Sequence, residues 1–269
     1  MNLDEDKLGI IGEEIRKAGE YAFSMQKDIQ RSFKSDGSVL TKADLAISHR
    51  ITDLIHDLFP SALVISEEED PQGRLDSEWT FILDPIDGTD VYSQGMPAYA
   101  VSLGILDSER NPVGAFIAAP RFGVGVESLF VSMFPGKDPL INGEIPTLTG
   151  DKNNVTQVTT GSKAYLFLDF SGFNGKVRIL GSTILHILAP VIFPSVEASV
   201  ILPCYVWDMV SSHAVIRKLG MDICLEDGSL FIYDDSFMNR NTFRGIAYSG
   251  TEKGRNHLRE VLPPKHRCH

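Results

Sequence analysis

The chain has 269 residues, of which 25 are Lys or Arg and 36 are Asp or Glu, giving a formal net charge of −11 at pH 7. With 43% hydrophobic and 23% charged residues, the composition is that of a globular protein and excludes a disordered or fibrous chain. The acidic balance argues against a nucleic-acid-binding protein, which needs a basic surface, but an anionic phosphate ester can still bind where metal ions reverse the local charge.

Targeting signals and cysteine spacing give an expectation for the compartment. The N-terminal segment lacks the basic and apolar regions of a signal peptide, and no apolar run approaches the ~18 residues of a membrane span. The cysteines, Cys204, Cys224 and Cys268, show no CxxC spacing, and their odd number gives no disulfide framework. We therefore expect a cytoplasmic protein with neither a membrane nor a nucleic-acid partner.

Hydrophobic spacing predicts two amphipathic helices near the start of the chain. The first is expected over residues 3–28. After a polar stretch with a turn at Asp36-Gly37, the second is expected over residues 43–59, with Leu45 on its apolar face and Pro60 ending it.

Short apolar runs then alternate with polar turns. Residues 62–66 and 79–84 are predicted as buried strands; the first is followed directly by the acidic run 67–70 and the second ends on Asp84, with a turn at residues 70–73 between them. Beyond them, residues 98–134 are predicted to form a meander of antiparallel strands.

The polar segment 135–155 is expected to separate two sub-domains. The first, residues 1–145, would contain the central acidic motifs, and the second, residues 146–269, would supply Asp208. The second half alternates predicted strands with predicted helices at 182–193, 208–219 and 251–261. This mixture predicts a layered α/β or α+β fold, with sheets flanked by helices.

The most informative motif is DPIDGT at residues 84–89, which directly follows an apolar strand. The carboxylates of Asp84 and Asp87 can face one point, the Ile86 carbonyl offers a third oxygen, and Gly88 lets the backbone approach an anion. Hard oxygen ligands without imidazole or thiolate suit Mg²⁺ rather than zinc. The alternative is an ordinary turn, because Asp-Pro and Asp-Gly are common turn dipeptides.

Three further acidic residues are candidates for the same site. Glu67 opens an acidic run at a strand end, Asp208 precedes a predicted helix, and Asp44 lies at the start of the second helix. Their structural alternatives are a solvated face, an N-cap and a first-turn charge, respectively. The chain has no GxxxxGK[ST], HExxH or GxSxG motif, so it offers no P-loop, no zincin helix and no nucleophile elbow.

Taken in order, these four elements resemble the inositol monophosphatase family of Mg²⁺-dependent, lithium-sensitive phosphatases. This family is related to fructose-1,6-bisphosphatase and the bisphosphate nucleotidases, and the resemblance covers nearly the whole chain. It implies the αβαβα five-layer sandwich of the sugar phosphatases, a homodimer, and a site with two or three Mg²⁺ ions.

The resemblance also implies roles for individual residues. The implied metal ligands are Glu67, Asp84, Ile86, Asp87 and Asp208. Gly88 and Thr89 are expected to bind phosphate, and the Thr89–Asp44 pair is expected to act with Glu67 in orienting the attacking water. The implied substrate-side residues are Asp90, Ser182 and Thr183.

The predicted activity is therefore hydrolysis of a small phosphate monoester by metal-activated water. One departure concerns the leaving alcohol, because Ile201 occupies the position where inositol-using members often carry a sugar-binding glutamate. The alternatives are 3′,5′-bisphosphate nucleotidase, histidinol-phosphatase or fructose-bisphosphatase-like activity. Two further alternatives are not enzymes: one is a non-catalytic relative that acts through protein contacts, and the other is a structural domain stabilised by Ca²⁺.

Overall fold

The structure is a computed structural model that describes residues 3–35, 37–123 and 128–265. The helices of these ranges are α1 (Glu5–Met25), α2 (Lys42–Leu58), α3 (Thr89–Ser93), α4 (Ala164–Phe167), α5 (Thr183–Ile192), α6 (Val210–Lys218), α7 (Asp235–Arg240) and α8 (Glu252–Val261). The turn predicted at Asp36-Gly37 lies partly outside the described residues, and Cys268 lies wholly outside them.

The strands belong to two large sheets and two small ribbons. In chain order they are β1 (Ser32–Phe33), β2 (Val39–Leu40), β3 (Leu63–Ser66), β4 (Glu69–Gln72), β5 (Thr80–Asp87), β6 (Ala100–Leu106), β7 (Pro112–Ala119), β8 (Leu129–Met133), β9 (Leu140–Ile141), β10 (Gln157–Thr160), β11 (Lys176–Arg178), β12 (Ala198–Ile201), β13 (Cys204–Tyr205), β14 (Asp222–Leu225), β15 (Thr242–Phe243) and β16 (Ala247–Gly250).

The larger sheet has seven strands in the order β4-β3-β5-β6-β7-β8-β9. Strands β3 and β5 are parallel, and the other neighbours are antiparallel. In the β5–β6 ladder, Asp84 lies opposite Ser102 and Asp87 opposite Ala100, so the register shifts between the two aspartates. This irregularity interrupts the regular strand geometry at the end of β5, between the two aspartates.

The smaller sheet has five strands in the order β11-β10-β12-β16-β14, and helices separate it from the larger one. Helices α1 and α2 pack on one face of the seven-stranded sheet, and α6 packs on the other face against β6 and β7. Helix α5 contacts α6, β10 and β12, and α8 covers β16. These contacts give five layers, αβαβα, and confirm the layered fold expected from the sequence.

Close packing in the middle layer explains a glycine in a buried strand. A Cβ atom on Gly104 of β6 would lie 2.5 Å from Val210 Cγ1 and 2.8 Å from the Ser211 backbone nitrogen. The first turn of α6 therefore rests directly on the sheet, which fixes the position of the residues that precede this helix.

Two local predictions were wrong. Leu45 of α2, predicted to share the apolar face with Ile51 and Ile55, is 39% exposed, whereas Ile51 and Ile55 are buried as predicted and Ile47 joins them. The turn predicted at residues 70–73 falls largely within β4, an edge strand antiparallel to β3. An edge strand tolerates the proline at position 71, because one side of that strand needs no ladder hydrogen bond.

Cys204 and Cys224 are free and buried. Among the described residues, no helix is both long and apolar enough to cross a membrane.

Candidate metal centre

Three aspartates meet where β5 approaches the start of α6. Each of Asp84, Asp87 and Asp208 offers one carboxylate oxygen, and these oxygens all lie within 4.8 Å of one another. Asp84 and Asp87 are buried at the end of β5, and Asp208 is partly buried two residues before α6. The fold therefore brings together carboxylates that are about 120 residues apart in the chain.

The most unusual of the three is Asp84. It is 1% exposed, and neither of its carboxylate oxygens has a hydrogen-bond partner among the described residues. Burial raises its pKa well above 3.8, and the nearby charges of Glu67, Asp87 and Asp208 raise it further. A buried carboxylate without a partner is costly, and a hard divalent cation bound by these oxygens would remove that cost. The donor set thus fits Mg²⁺.

Asp87 is held by the N-terminus of α5. The Ser182 hydroxyl donates a hydrogen bond to Oδ2 of Asp87, and the Ile184 backbone N–H donates to the same oxygen at 2.7 Å. The Thr183 N–H donates to Oδ1 at 3.3 Å. These donors favour the ionised form, but burial has the larger effect and raises the pKa of Asp87 to about 6.

Asp208 is oriented by the backbone rather than used as a helix cap. Its Oδ2 accepts a hydrogen bond from the Tyr205 N–H at 2.6 Å, and the N-cap residue of α6 is Met209. The N-cap alternative for Asp208 is therefore wrong. Burial raises the pKa of Asp208 well above 3.8, and the charge of Asp87 adds to this.

Glu67 forms an ion pair with a lysine. Its Oε1 lies 2.7 Å from Lys34 Nζ, which also lies 2.6 Å from Glu68 Oε1. The charge of Glu67 raises the pKa of Asp84, but Glu67 is not among the three carboxylates whose oxygens lie within 4.8 Å of one another. Lys34 was missed as a site residue, because it precedes the second helix in a stretch without hydrophobic periodicity.

Asp44 is a first-turn residue of α2 that also contacts Thr89. Its Oδ2 accepts hydrogen bonds from the Thr41 N–H at 2.9 Å and the Thr41 hydroxyl at 2.5 Å, completing a capping box on α2. Its Oδ1 lies 3.3 Å from the Thr89 hydroxyl, which donates to the Ile86 carbonyl at 2.9 Å. The predicted Thr89–Asp44 pair is thus in contact. Burial raises the pKa of Asp44 to about 6.

Gly88 precedes the first turn of α3 with a φ of +87°, a conformation that favours glycine. A Cβ at this position would lie 3.1 Å from the Gly181 carbonyl oxygen and 3.3 Å from the Ala98 carbonyl oxygen. The backbone of Gly88 therefore borders the loop before α5. Asp90, in the first turn of α3, is exposed.

The buried position of Ile201 agrees with the sequence, which has this isoleucine where inositol-using members often carry a sugar-binding glutamate. Ile201 is 2% exposed in β12 and packs in a hydrophobic cluster that includes Val206 and Trp207. It therefore presents no polar group to a substrate.

Comparison with known proteins identifies relatives. A model of the inositol monophosphatase family matches residues 5–260. The Nus factor SuhB of Pasteurella multocida is 25% identical over 224 residues, a match that covers 78% of this chain and 81% of that protein. The chloroplastic phosphatase IMPL1 of Arabidopsis thaliana is 25% identical over 226 residues, covering 78% of this chain and 60% of that protein.

Solved structures share the fold. The crystal structure of an IMPase/NADP phosphatase complexed with Mg²⁺ and phosphate superposes with a TM-score of 0.79 at 13% identity. The superposition covers 98% of this chain and 99% of that one. At this identity the similarity demonstrates the shared fold.

Proposed function

Because this chain belongs to the inositol monophosphatase family, we propose that it hydrolyses small phosphate monoesters in a Mg²⁺-dependent reaction. The observation that carries the proposal is the convergence of Asp84, Asp87 and Asp208, with both oxygens of Asp84 unpartnered among the described residues. The crystal structure of an IMPase/NADP phosphatase that shares this fold, complexed with Mg²⁺ and phosphate, supports the choice of Mg²⁺ as cofactor.

We propose that two or three Mg²⁺ ions are held by Glu67, Asp84, Asp87, Asp208 and the Ile86 carbonyl. When bound, Mg²⁺ neutralises phosphoryl charge and lowers the pKa of water. The burial of Asp84 and Asp87 excludes bulk solvent, which strengthens the electrostatic interactions that these carboxylates make.

The remaining residues position water and phosphate. The Thr89 hydroxyl donates its single proton to the Ile86 carbonyl or to Asp44, so its oxygen keeps a lone pair that can accept a hydrogen bond from the attacking water and orient it. Because Gly88 has no side chain, a phosphoryl oxygen can approach the Gly88 and Thr89 N–H groups. Ser182 and Thr183 fix the orientation of Asp87.

Phosphate release from a panel of esters tests this function. The panel contains p-nitrophenyl phosphate, inositol phosphates, fructose bisphosphate, adenosine 3′,5′-bisphosphate and histidinol phosphate. We expect phosphate release with Mg²⁺ and none with EDTA. No turnover of any ester would contradict the proposal and favour a non-catalytic relative, an alternative consistent with the name of the Pasteurella Nus factor. Stabilisation by Ca²⁺ without turnover would favour a structural metal site.

Metal addition should also stabilise the folded chain. At about 100 times its Kd, Mg²⁺ is expected to raise the free energy of unfolding by about 2.7 kcal/mol, because it binds the assembled carboxylates but not the unfolded chain. Urea denaturation with and without Mg²⁺, at ionic strength matched with KCl, measures this difference. Equal midpoints at saturating Mg²⁺ would show that the three aspartates do not form a cation site.

The surroundings of Asp208 favour a particular class of leaving alcohol. The Tyr205 ring stacks on the Trp207 ring with centroids 4.8 Å apart and planes 9° apart, and Tyr205 is 39% exposed. The Tyr205 N–H bonds to Asp208, so the residue that carries this exposed ring is anchored through its backbone to a proposed metal ligand. With Ile201 buried and apolar, we propose that the preferred leaving alcohol carries an aromatic ring, as a nucleoside or an imidazole alcohol does.

Replacing Tyr205 by alanine should therefore change selectivity. We expect Tyr205→Ala to lower kcat/KM for adenosine 3′,5′-bisphosphate about 10-fold, since one base–aromatic stack contributes about 1–3 kcal/mol. The value for glycerol 2-phosphate should change less than about twofold. The matched control is Tyr165→Ala, which removes a tyrosine of α4 that is 62% exposed. An equal loss for both esters would contradict stacking.

We also propose a division into two sub-domains, a lithium-sensitive homodimer and a cytoplasmic location. A division near residue 145 is supported by the sheets, because the seven-stranded sheet uses residues 63–141 and the five-stranded sheet uses residues 157–250. The homodimer and lithium sensitivity rest on family membership. A cytoplasmic location rests on the composition and cysteine usage.

A further inference from the structure

One buried histidine holds the loop that leads into α5. His186 lies in the first half of α5 and is 3% exposed. Its Nε2 accepts hydrogen bonds from two consecutive backbone N–H groups, Leu180 at 2.9 Å and Gly181 at 3.4 Å. A single imidazole nitrogen therefore fixes the backbone immediately before the helix.

This backbone forms one wall beside the phosphate-binding turn. Gly181 has a φ of +104°, and its carbonyl oxygen is the atom that a Cβ on Gly88 would approach to 3.1 Å. A Cβ on Gly181 would in turn lie 2.4 Å from Val91 Cγ1 in α3. The loop thus packs against α3 and Gly88 without space for a shift toward them.

The same loop also orients a proposed metal ligand. Ser182 follows Gly181 directly, and its hydroxyl donates to Asp87 while accepting the Leu185 N–H at 3.1 Å. Displacement of Gly181 would therefore move both a wall of the phosphate site and the hydroxyl that holds Asp87.

We propose that His186 is a positioning residue for phosphate-ester hydrolysis, acting through Nε2 on the backbone of Leu180 and Gly181. The inference rests on the proposed function, and it concerns a residue that contacts neither the substrate nor the metal. It requires a neutral imidazole with its proton on Nδ1, because a protonated Nε2 cannot accept a hydrogen bond. Burial lowers the pKa of His186 to about 4, which keeps the ring neutral near pH 7.

Three variants test the role of the acceptor nitrogen. His186→Leu keeps an apolar volume but removes the acceptor, and we expect kcat/KM with Mg²⁺ to fall on the order of 10-fold to 100-fold. His186→Gln retains an acceptor and should recover most of this loss. Thr159→Val is the matched control, because the Thr159 hydroxyl donates to the His186 carbonyl at 2.8 Å, and its removal perturbs the same residue without affecting the imidazole.

Two measurements do not depend on turnover. Calorimetric titration should show the Mg²⁺ Kd of His186→Leu raised about 10-fold, as expected when a group supporting a ligand is lost. Long-range ¹H–¹⁵N NMR of the wild-type protein should show an unprotonated Nε2 on His186. If the wild type hydrolyses no ester, the proposed function fails, and these two measurements still decide the role of His186.

Several results would overturn the inference. They are a protonated Nε2 near pH 7, a folded His186→Leu variant with wild-type kcat/KM and Mg²⁺ affinity, and equal losses in the Leu and Gln variants. If His186→Leu does not fold, wild-type kcat/KM in His186→Gln together with an unprotonated Nε2 supports the inference. A His186→Gln variant that also fails to fold contradicts it, because the retained acceptor should suffice.

Discussion

Replacing Asp84 by asparagine is expected to stabilise the metal-free protein while lowering Mg²⁺-dependent turnover about 10²- to 10³-fold. Without a cation, the ionised Asp84 is buried beside other carboxylates with no partner among the described residues, and the neutral amide relieves this cost. With a cation, the amide contributes a weaker ligand. Thermal unfolding in EDTA and initial rates in Mg²⁺ measure the two opposite effects.

The stability gain should depend on pH in a defined direction. The folded-state pKa of Asp84 is raised, so its contribution to stability is lost as pH rises from 3.8 through the folded-state pKa. The difference between Asp84→Asn and the wild type should therefore be smallest below pH 3.8 and grow with pH. Asp53→Asn, at an exposed aspartate of α2, is the control and should change neither property. A destabilised metal-free Asp84→Asn variant would contradict the argument.

The second large effect is expected from Gly88→Ala, which should reduce kcat/KM about 100-fold. The substitution places a methyl group against the Gly181 and Ala98 carbonyl oxygens and forces alanine into a φ of +87°. The turn must then move, which would displace the N–H groups that we propose bind the phosphoryl oxygens. Steady-state kinetics with the preferred ester measure the loss.

Gly95→Ala separates backbone strain from displacement of the site. Gly95 has a similar φ of +79°, but a Cβ there would meet no atom within 4 Å. We expect a stability loss of about 1 kcal/mol from the left-handed conformation, with wild-type kinetics. If both alanine variants lose activity equally, the contacts around Gly88 are not the cause.

The extent of α2 could be predicted because local chemistry sets both of its ends. The Thr41–Asp44 capping box starts the helix, and Pro60 follows its end, so the predicted range of 43–59 nearly matches Lys42–Leu58. The buried face was less predictable. Helical periodicity predicted Ile51 and Ile55 on this face but does not decide the residue at its edge, where contact with the sheet buries Ile47 and leaves Leu45 exposed.

The short elements between residues 222 and 243 had no local signal. Strand β14 has four residues and is defined by its antiparallel pairing with β16. Helix α7 has six residues, too few to show a period of 3.6. Such elements depend on partners distant in the chain, which a local pattern does not reveal.

The centre was more predictable than the contacts that support it. Their position at a predicted strand end pointed to the two aspartates of DPIDGT as site residues, and the structure brings both of them together with Asp208. The ion pair of Lys34 with Glu67, and the contacts of His186 Nε2 in α5 with the loop before that helix, belong to no motif that the sequence analysis used. The metal-binding, phosphate-binding and substrate-side roles of the individual residues remain predictions.

The origins of the three aspartates have a consequence for how the chain comes apart. Asp84 and Asp87 belong to the seven-stranded sheet, whereas Asp208 lies in the second half of the chain between β13 and α6. A cation shared by them is a reversible cross-link that closes a loop of about 120 residues. Chelation removes this cross-link, so the opened chain regains the conformational entropy of the loop and opening becomes more favourable. Proteases should therefore cleave the chelated protein faster than the metal-loaded protein.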